Sequence, residues 1–164
     1  MNGFMHATRY LFLLLPFLLL ESLFAELRLP NLFGEHMVLQ AGKEITVWGW
    51  GAPGEEVKLT FADNETAAKV DGKGEWSAQL PALKKSFEGR DLVVSSKSGK
   101  RVLQDVLVGE VWLCSGQSNM EWTVSRSMNP KEEIAAGTHP TIRHIKFPHK
   151  TSDKPLANAV TQGW

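Results

Sequence analysis

Short runs of alternating apolar and polar residues, separated by turn-forming residues, fill the chain between residues 26 and 108. Val57, Leu59 and Phe61 alternate with polar residues, which is the period of a strand with one buried face. Similar runs occupy residues 45–50, 76–80, 92–94 and 102–103, and no stretch here keeps a helical period. Many short strands with frequent turns predict a small antiparallel β-sandwich.

Turn signals between these runs support the same prediction. Pro53-Gly54 suits a type II turn, because glycine stands at the position that needs a positive φ. Asp63-Asn64 suits a hairpin connection, and residues 71–74 and 98–100 combine glycine with polar residues. The spacing of these turns leaves room for strands and not for long helices.

Charge and cysteine content exclude several classes of function. Lys plus Arg equals Asp plus Glu at 18 each, so there is no net basic field to attract nucleic acid. Cys114 is the only cysteine, which excludes an intrachain disulfide and a zinc site built from cysteines. Cys114 lies in an apolar run, so a buried small hydrophobe is favoured there over a reactive thiol.

Residues 1–25 have the features of a targeting segment. His6 and Arg9 precede an almost wholly apolar stretch over residues 10–20, and Ala25 is a small residue before a plausible cleavage point. This apolar stretch matches a signal-peptide core and is short for a membrane span. We therefore expect a cleaved signal peptide, export to a secreted, periplasmic or lumenal location, and no stable membrane insertion afterwards. The alternative is an uncleaved amphipathic or membrane anchor.

Three tryptophans of the β region allow two interpretations. Trp48, Trp50 and Trp76 could stack on sugar rings through their aromatic faces. They could equally fill the core of a small sandwich, which is the favoured interpretation because such a core needs large apolar side chains.

The pattern changes after residue 109. The apolar run 111–114 predicts a buried strand, and the small polar residues Ser115 to Asn119 break it abruptly. The simplest geometry is a strand, a tight turn holding Ser118, and then a helix. The carboxyl end of a parallel strand is where open α/β sheets bind ligands, so Ser118 is a candidate nucleophile. The alternative is an ordinary polar turn.

The remaining residues offer few further elements. Asn129 as cap and Pro130 in the first position predict a helix that ends at Gly137, and residues 142–147 alternate as a strand would. One parallel-type strand cannot bury its faces without several βα neighbours. The predicted organisation is a signal peptide over residues 1–25, a β-sandwich over 26–108, and the incomplete start of an α/β domain over 109–164.

The neighbours of Ser118 narrow the class of hydrolase. The pattern Gly-x-Ser-x-Gly is only half met, because Met120 replaces its second glycine, which argues against an α/β-hydrolase elbow. The whole string Val-Trp-Leu-Cys-Ser-Gly-Gln-Ser-Asn-Met-Glu-Trp over residues 111–122 instead resembles the first conserved block of the sialate O-acetylesterase family, which are SGNH-type hydrolases. Upstream, the stretches 32–33, 37–40, 47–49 and 52–55 resemble the leading β domain of that family, in the same order.

The resemblance implies specific roles. Ser118 would be the nucleophile, its backbone N–H would be one oxyanion donor, and later blocks would supply a glycine, an asparagine and an Asp-x-x-His. None of the four histidines beyond the leader has an aspartate three residues before it. The residues at those positions are Phe33, Ala136, Thr141 and Lys146. Gln117, Asn119 and Glu121 match the family string and are candidate substrate-binding residues, although an ion-pairing role is favoured for Glu121.

The function that the resemblance implies is removal of O-acetyl groups from acetylated sugars such as sialic acids, through an acetyl-serine intermediate. This chemistry requires no metal and no organic cofactor. Because the base and its orienting carboxylate are missing from residues 1–164, this stretch alone is expected to be inactive. The alternative is a secreted carbohydrate-binding or adhesion module, in which the sandwich acts without catalysis and Ser118 is a turn residue.

Overall fold

The computed structural model describes residues 25–164, so the predicted signal peptide lies outside the described residues except for Ala25. Seven strands come first along this part of the chain, and a single short α-helix follows them. The elements are β1 (Val38–Gln40), β2 (Ile45–Trp50), β3 (Glu56–Phe61), β4 (Asn64–Lys69), β5 (Glu75–Leu80), β6 (Ser86–Ser96), β7 (Gly99–Gly109) and α1 (Pro130–Ala136). The mainly β composition predicted from the sequence is confirmed.

The strands form two sheets. Five strands make one sheet in the order β1-β7-β6-β3-β4, and β2 pairs with β5 in the other. All pairings are antiparallel except that of β1 with β7, which is parallel and places Val38 beside Leu107. The wholly antiparallel expectation is wrong at this one pair. Parallel neighbours need a long connection, and here the other five strands separate β1 from β7 along the chain.

Alternation along the strands builds one shared core. In β3, Val57, Leu59 and Phe61 are fully buried while the residues between them are exposed. The same alternation buries Val47 in β2 and Ala78 in β5, which are directly paired. Buried residues of both sheets belong to a single hydrophobic cluster. The period of two seen in the sequence therefore sets which face of each strand is buried.

The turn at Pro53-Gly54 has the predicted backbone, and the hairpin turn predicted at Asp63-Asn64 lies one residue earlier. Gly54 has φ +83°, and the Glu55 N–H donates to the Ala52 carbonyl at 3.1 Å. The β3–β4 hairpin turns on Ala62 and Asp63, whose φ angles are +50° and +63°. Positive φ at both turn residues is the conformation that matches the twist of a two-residue hairpin.

The predicted buried strand over residues 111–114 is wrong. This stretch has no regular structure, and its residues are exposed, with Trp112 at 83% and Leu113 at 91%. Cys114 is likewise exposed and not a buried hydrophobe. The physical reason is that an apolar run forms a strand only against a partner, and the described residues bring none beside it.

The last third of the chain is mostly irregular. The alternating residues 142–147 also form no strand, for the same lack of a partner. Helix α1 is confirmed, with Pro130 at its start and the Gly137 N–H donating to the Ile134 carbonyl at 3.2 Å. Asn129 caps the helix through its backbone carbonyl, which accepts from the Glu133 N–H, and not through its side chain. None of the helices in the described part of the chain is both long and apolar enough to cross a bilayer.

Candidate active site and its surroundings

Ser118 opens a short 3-10 helix, Ser118–Glu121, directly after the irregular stretch 111–117. The Gln117 carbonyl accepts from the Met120 N–H at 2.9 Å, and the Asn119 carbonyl accepts from the Trp122 N–H at 3.2 Å. These two bonds fold the backbone tightly around the candidate nucleophile. Ser118 therefore sits at a turn, as its sequence predicts, and is exposed to solvent.

A close approach explains why glycine stands at position 116. A Cβ atom placed on Gly116 would come within 2.8 Å of the Met120 Cγ atom. Such contacts are shorter than packed carbon atoms allow, so Met120 occupies space that a side chain at 116 would need. A methyl group at position 116 would therefore require the exposed Met120 side chain to move.

The other predicted site residues share the turn with Ser118. Gln117, Asn119 and Glu121 are all exposed. Glu121 Oε1 lies 3.0 Å from His149 Nε2, which is the ion-pairing contact favoured for this residue. Because both side chains are more than half exposed, the contact adds little to stability. The structure brings Glu121 to the C-terminal segment, and the substrate-binding roles of the three residues stay predictions.

Two of the four described histidines make side-chain contacts away from Ser118. His36 Nδ1 lies 2.8 Å from Asp105 Oδ2, and His149 contacts Glu121. Neither pairing involves Ser118. The nucleophile assignment therefore rests on the sequence resemblance and on the turn geometry, and residues 25–164 show no acid–base partner placed against the hydroxyl.

The sequence did not reveal a cluster of His36, Asp105 and Arg143. Arg143 Nη2 donates to Asp105 Oδ2 at 2.9 Å, and Arg143 Nη1 donates to the His36 carbonyl at 2.9 Å and to the Asp105 carbonyl. The Arg143 side chain is only 13% exposed. Since the three residues are 38 to 107 positions apart, no local pattern announces the cluster.

A β-bulge explains why Asp105 points toward these partners. Arg90 pairs with Val106 and Leu92 with Leu103, so one residue of β6 faces two residues of β7. Asp105 takes up the irregularity with φ +54°, and His36 has φ +64°. Asparagine, aspartate and histidine adopt this region more readily than other non-glycine residues, and bulges redirect side chains.

Packing and charge fix the Asp105 carboxylate. A Cβ atom on Gly89 would lie 1.9 Å from Asp105 Oδ1, so the carboxylate occupies space that only glycine leaves open. The hydrogen bond to His36 and then that to Arg143 hold the pKa of Asp105 below its ordinary value. Asp105 is therefore ionised at neutral pH, and its contacts fasten the segment around Arg143 to strand β7.

The end of the described chain is anchored in the same way. The Trp164 indole Nε1 donates to the Leu32 carbonyl at 2.8 Å, and the Asn31 N–H donates to Asn158 Oδ1 at 2.8 Å. Trp164 also packs against the hydrophobic core. Two separate contacts, at Arg143 and at residues 158–164, thus hold the irregular segment against the strands. Within residues 25–164, no group of three or more His, Cys, Asp or Glu side chains could hold a metal ion.

Comparisons with known proteins agree with the resemblance carried by residues 111–122. No family model matches the chain. Human sialate O-acetylesterase is 32% identical over 149 residues, which cover 81% of this chain and 28% of that protein. The mouse sialate O-acetylesterase is 34% identical over 119 residues, covering 66% of this chain and 22% of that protein.

A solved structure extends the likeness to the fold. A carbohydrate acetylesterase from Xanthomonas citri superposes with a TM-score of 0.78 at 31% identity, over 84% of this chain and 32% of that one. The chain spans about a quarter of the length of the curated relatives it matches. Because several relatives at 30–34% identity share this name and the fold agrees, the chain belongs to the sialate O-acetylesterase family.

Proposed function

We propose that this chain is part of a serine ester hydrolase that removes O-acetyl groups from acetylated sugars, with sialic acids among its substrates. The observation that carries the proposal is the exposed turn at Ser118 within a twelve-residue string resembling the family's nucleophile block. Relatives named as sialate and carbohydrate acetylesterases support the class of substrate. The same identification favours an enzyme over a binding module without catalysis.

The chemistry starts from a weak nucleophile. A serine hydroxyl attacks an ester only when a base accepts its proton, and a histidine oriented by a carboxylate is the usual base. The Ser118 Oγ atom would bond to the acetyl carbonyl carbon while its proton passes to that histidine. The histidine would then protonate the leaving sugar oxygen, which leaves an acetyl group on Ser118. Water, deprotonated by the same histidine, would release acetate and restore the serine.

Stabilisation of the intermediate would depend on free backbone N–H groups near Ser118. The carbonyl oxygen becomes an oxyanion during attack, and preorganised N–H donors lower its energy. In the turn, the N–H groups of Met120 and Trp122 are already bonded to carbonyls of the preceding residues. The Ser118 N–H is the donor that the family resemblance assigns to this role, with further donors expected from later parts of a longer protein.

Exposed apolar side chains support a longer protein in which residues 109–164 begin an α/β SGNH-type domain. Trp112, Leu113 and Trp122 are 83%, 91% and 62% exposed, and like Met120 and Val124 they stand within six residues of the candidate nucleophile along the chain. So many exposed large apolar side chains in one short stretch are uncommon on a finished soluble domain. In the proposed whole protein, further strands cover residues 111–114, and the Asp-x-x-His block follows.

The preceding region is proposed to be an antiparallel β-sandwich with the β1–β7 exception. Its two sheets share one buried cluster, which supports face-to-face packing. We also propose that residues 1–25 direct export and are cleaved near Ala25. N-terminal sequencing of exported protein tests this, and an intact Met1 on exported material would contradict it.

The experiment compares a longer protein carrying this chain with its Ser118→Ala variant, using an O-acetylated sialic acid and an aryl acetate. We expect kcat to fall by about 10⁴-fold or more, as the loss of a triad member usually does. Ser115→Ala is the matched control, because Ser115 precedes the turn, and it should retain most activity. Residues 1–164 alone should neither hydrolyse the aryl acetate above background nor label with a fluorophosphonate. Near wild-type activity in Ser118→Ala would refute the nucleophile assignment.

A further inference from the structure

A groove of about 700 Å³ lies beside the two-stranded sheet of β2 and β5, and its lining includes no residue of the turn that holds Ser118. One side is formed by residues that point outward from this sheet, and the other by residues at and after the end of β4. The side chains used in the argument are Trp48, Trp50, Lys69, Asp71, Glu75 and Ser77. None of them has a role in the proposed hydrolysis.

The floor of the groove is aromatic. Trp48 and Trp50 are two residues apart in β2, so they lie on the same face of the sheet, and both are half-buried. The Trp48 ring meets Phe33 edge-on, with centroids 4.8 Å apart. The Arg28 guanidinium lies 5.8 Å from the centre of the Trp50 ring. These neighbours hold both indoles in place, while each indole still lines the groove.

The rim of the groove is polar and carries both signs of charge. Glu75 is paired directly with Trp50 and Ser77 with Trp48, so these polar groups stand beside the rings. Asp71 Oδ1 accepts from the Glu75 N–H at 2.9 Å and the Lys73 N–H at 2.8 Å. These bonds, that from Glu75 first, lower the pKa of Asp71 and keep its carboxylate ionised at neutral pH. A fixed acceptor therefore stands near the aromatic floor.

We propose that this groove binds neutral sugar residues of a glycan, as a second carbohydrate site separate from catalysis. A sugar ring presents an apolar C–H face that can stack on an indole and a rim of hydroxyls that pair with carboxylates and hydroxyls. The lining carries two carboxylates and one lysine, with Arg28 against the Trp50 ring, so the groove has no excess of positive charge to attract an anionic sugar and the occupant is a neutral residue of the glycan. The inference does not depend on Ser118 being a nucleophile.

The test is a titration of the chain with neutral and acidic oligosaccharides, followed by tryptophan fluorescence and by NMR of the indole N–H signals. The probes are lactose, maltotriose, N,N′-diacetylchitobiose and 3′-sialyllactose. We expect saturable binding of at least one neutral probe and a shift of the Trp50 indole signal. Trp50→Ala should weaken that binding by about fivefold, which corresponds to the roughly 1 kcal/mol that a stacking contact contributes.

Two controls keep the outcome decisive. Trp112→Ala removes an exposed tryptophan outside the groove and should bind as the wild type does. Glu75→Gln changes an exposed rim carboxylate without removing packing, so it should fold normally and weaken binding severalfold even if Trp50→Ala does not fold. Ser118→Ala should bind unchanged, which separates a failure here from a failure of the proposed hydrolysis.

Several results would overturn the proposal. One is a lack of saturation with all three neutral probes, and another is binding of 3′-sialyllactose alone, which would mean recognition of a carboxylate. Equal loss of binding in Trp112→Ala and Trp50→Ala would place the sugar near the Ser118 turn instead. Unchanged binding in Glu75→Gln together with an unshifted Trp50 signal would also exclude the groove as the binding site.

Discussion

Replacing Gly49 with alanine should destabilise the protein strongly. With the exception of Gly89, no other glycine of the β region should lose as much stability on replacement by alanine. A Cβ atom at Gly49 would stand 2.2 Å from the Arg28 carbonyl oxygen and 3.0 Å from the Trp76 Cζ2 atom. The first neighbour is backbone, which cannot rotate away as a side chain can. Relief requires the segment at Arg28 to move by about 1 Å, since packed atoms prefer separations of about 3.5 Å.

The movement has a definite cost. It would break the bridge between Arg28 and Trp50, in which each N–H donates to the other carbonyl at 2.9 Å. Two such bonds contribute roughly 1–3 kcal/mol together, and overpacking adds roughly 1–3 kcal/mol. The lower entropy of an unfolded alanine offsets about 0.4–1 kcal/mol. The net expected loss is therefore about 3 kcal/mol, which corresponds to a fall in Tm of roughly 12 °C or more for a domain of this size.

Two glycines provide matched controls in thermal and urea unfolding. Gly72 has no neighbour within 4 Å of the position that an added methyl group would take, so Gly72→Ala should change stability by less than about 0.5 kcal/mol. Gly54 also has open space but φ +83°, so Gly54→Ala should cost only the backbone strain of roughly 1–2 kcal/mol. The expected order of damage is Gly49, Gly54, Gly72. A Gly49→Ala protein that melts within about 2–3 °C of wild type, by the scale of about 4–8 °C per kcal/mol, would refute the reasoning.

Two further predictions concern Asp105 and Cys114. Folding lowers the pKa of Asp105, so its ionised carboxylate contributes to the free energy of unfolding at any pH above its ordinary pKa of 3.8. This contribution is lost as the pH falls through the lower pKa of the folded protein. Asp105→Asn should therefore lower Tm at pH 7, and the difference from wild type should shrink toward pH 3; a difference independent of pH would contradict this. Cys114 is exposed, so a maleimide should label it in the native 164-residue chain as fast as in urea, and more slowly in a longer protein whose added strands cover residues 111–114. Native protection in the 164-residue chain would show that Cys114 is buried after all.

The sequence predicts best where one face of a strand meets the core. In β2, β3 and β5 the alternation determines both the location of the strand and the buried face, because a shift by one residue would expose every apolar side chain. Strand β4, with the residues Asn-Glu-Thr-Ala-Ala-Lys, carries no such signal. It forms because β3 offers it a full set of backbone partners, and its polar side chains suit the edge of a sheet.

The candidate site was predictable only in part. The turn at Ser118 follows from small polar residues that end an apolar run, and this local signal was sufficient. The contacts of Asp105 with His36 and Arg143 were not predictable, because they depend on a bulge in β7 and on a chain segment that returns from 38 residues away. The strand prediction for residues 111–114 is wrong because the local apolar signal was present but a neighbouring strand to bury it was not.

The exposure of residues 111–114 and the anchoring of the segment after them both bear on whether further strands of a longer protein complete the candidate site. The cluster around Arg143 and the contacts at residues 158–164 fasten the irregular segment to the β region at two places. The stretch between β7 and α1 is bonded to strand β1 at its start, where the Val111 N–H donates to Gln40 Oε1 at 2.9 Å. The most exposed apolar side chains, Trp112, Leu113 and Met128, follow in the same stretch. Apolar surface concentrated beside a candidate nucleophile, while both ends of its segment are held, is the arrangement expected if further strands of a longer protein complete the site there. The β region would then act as the fixed support against which the catalytic residues are assembled.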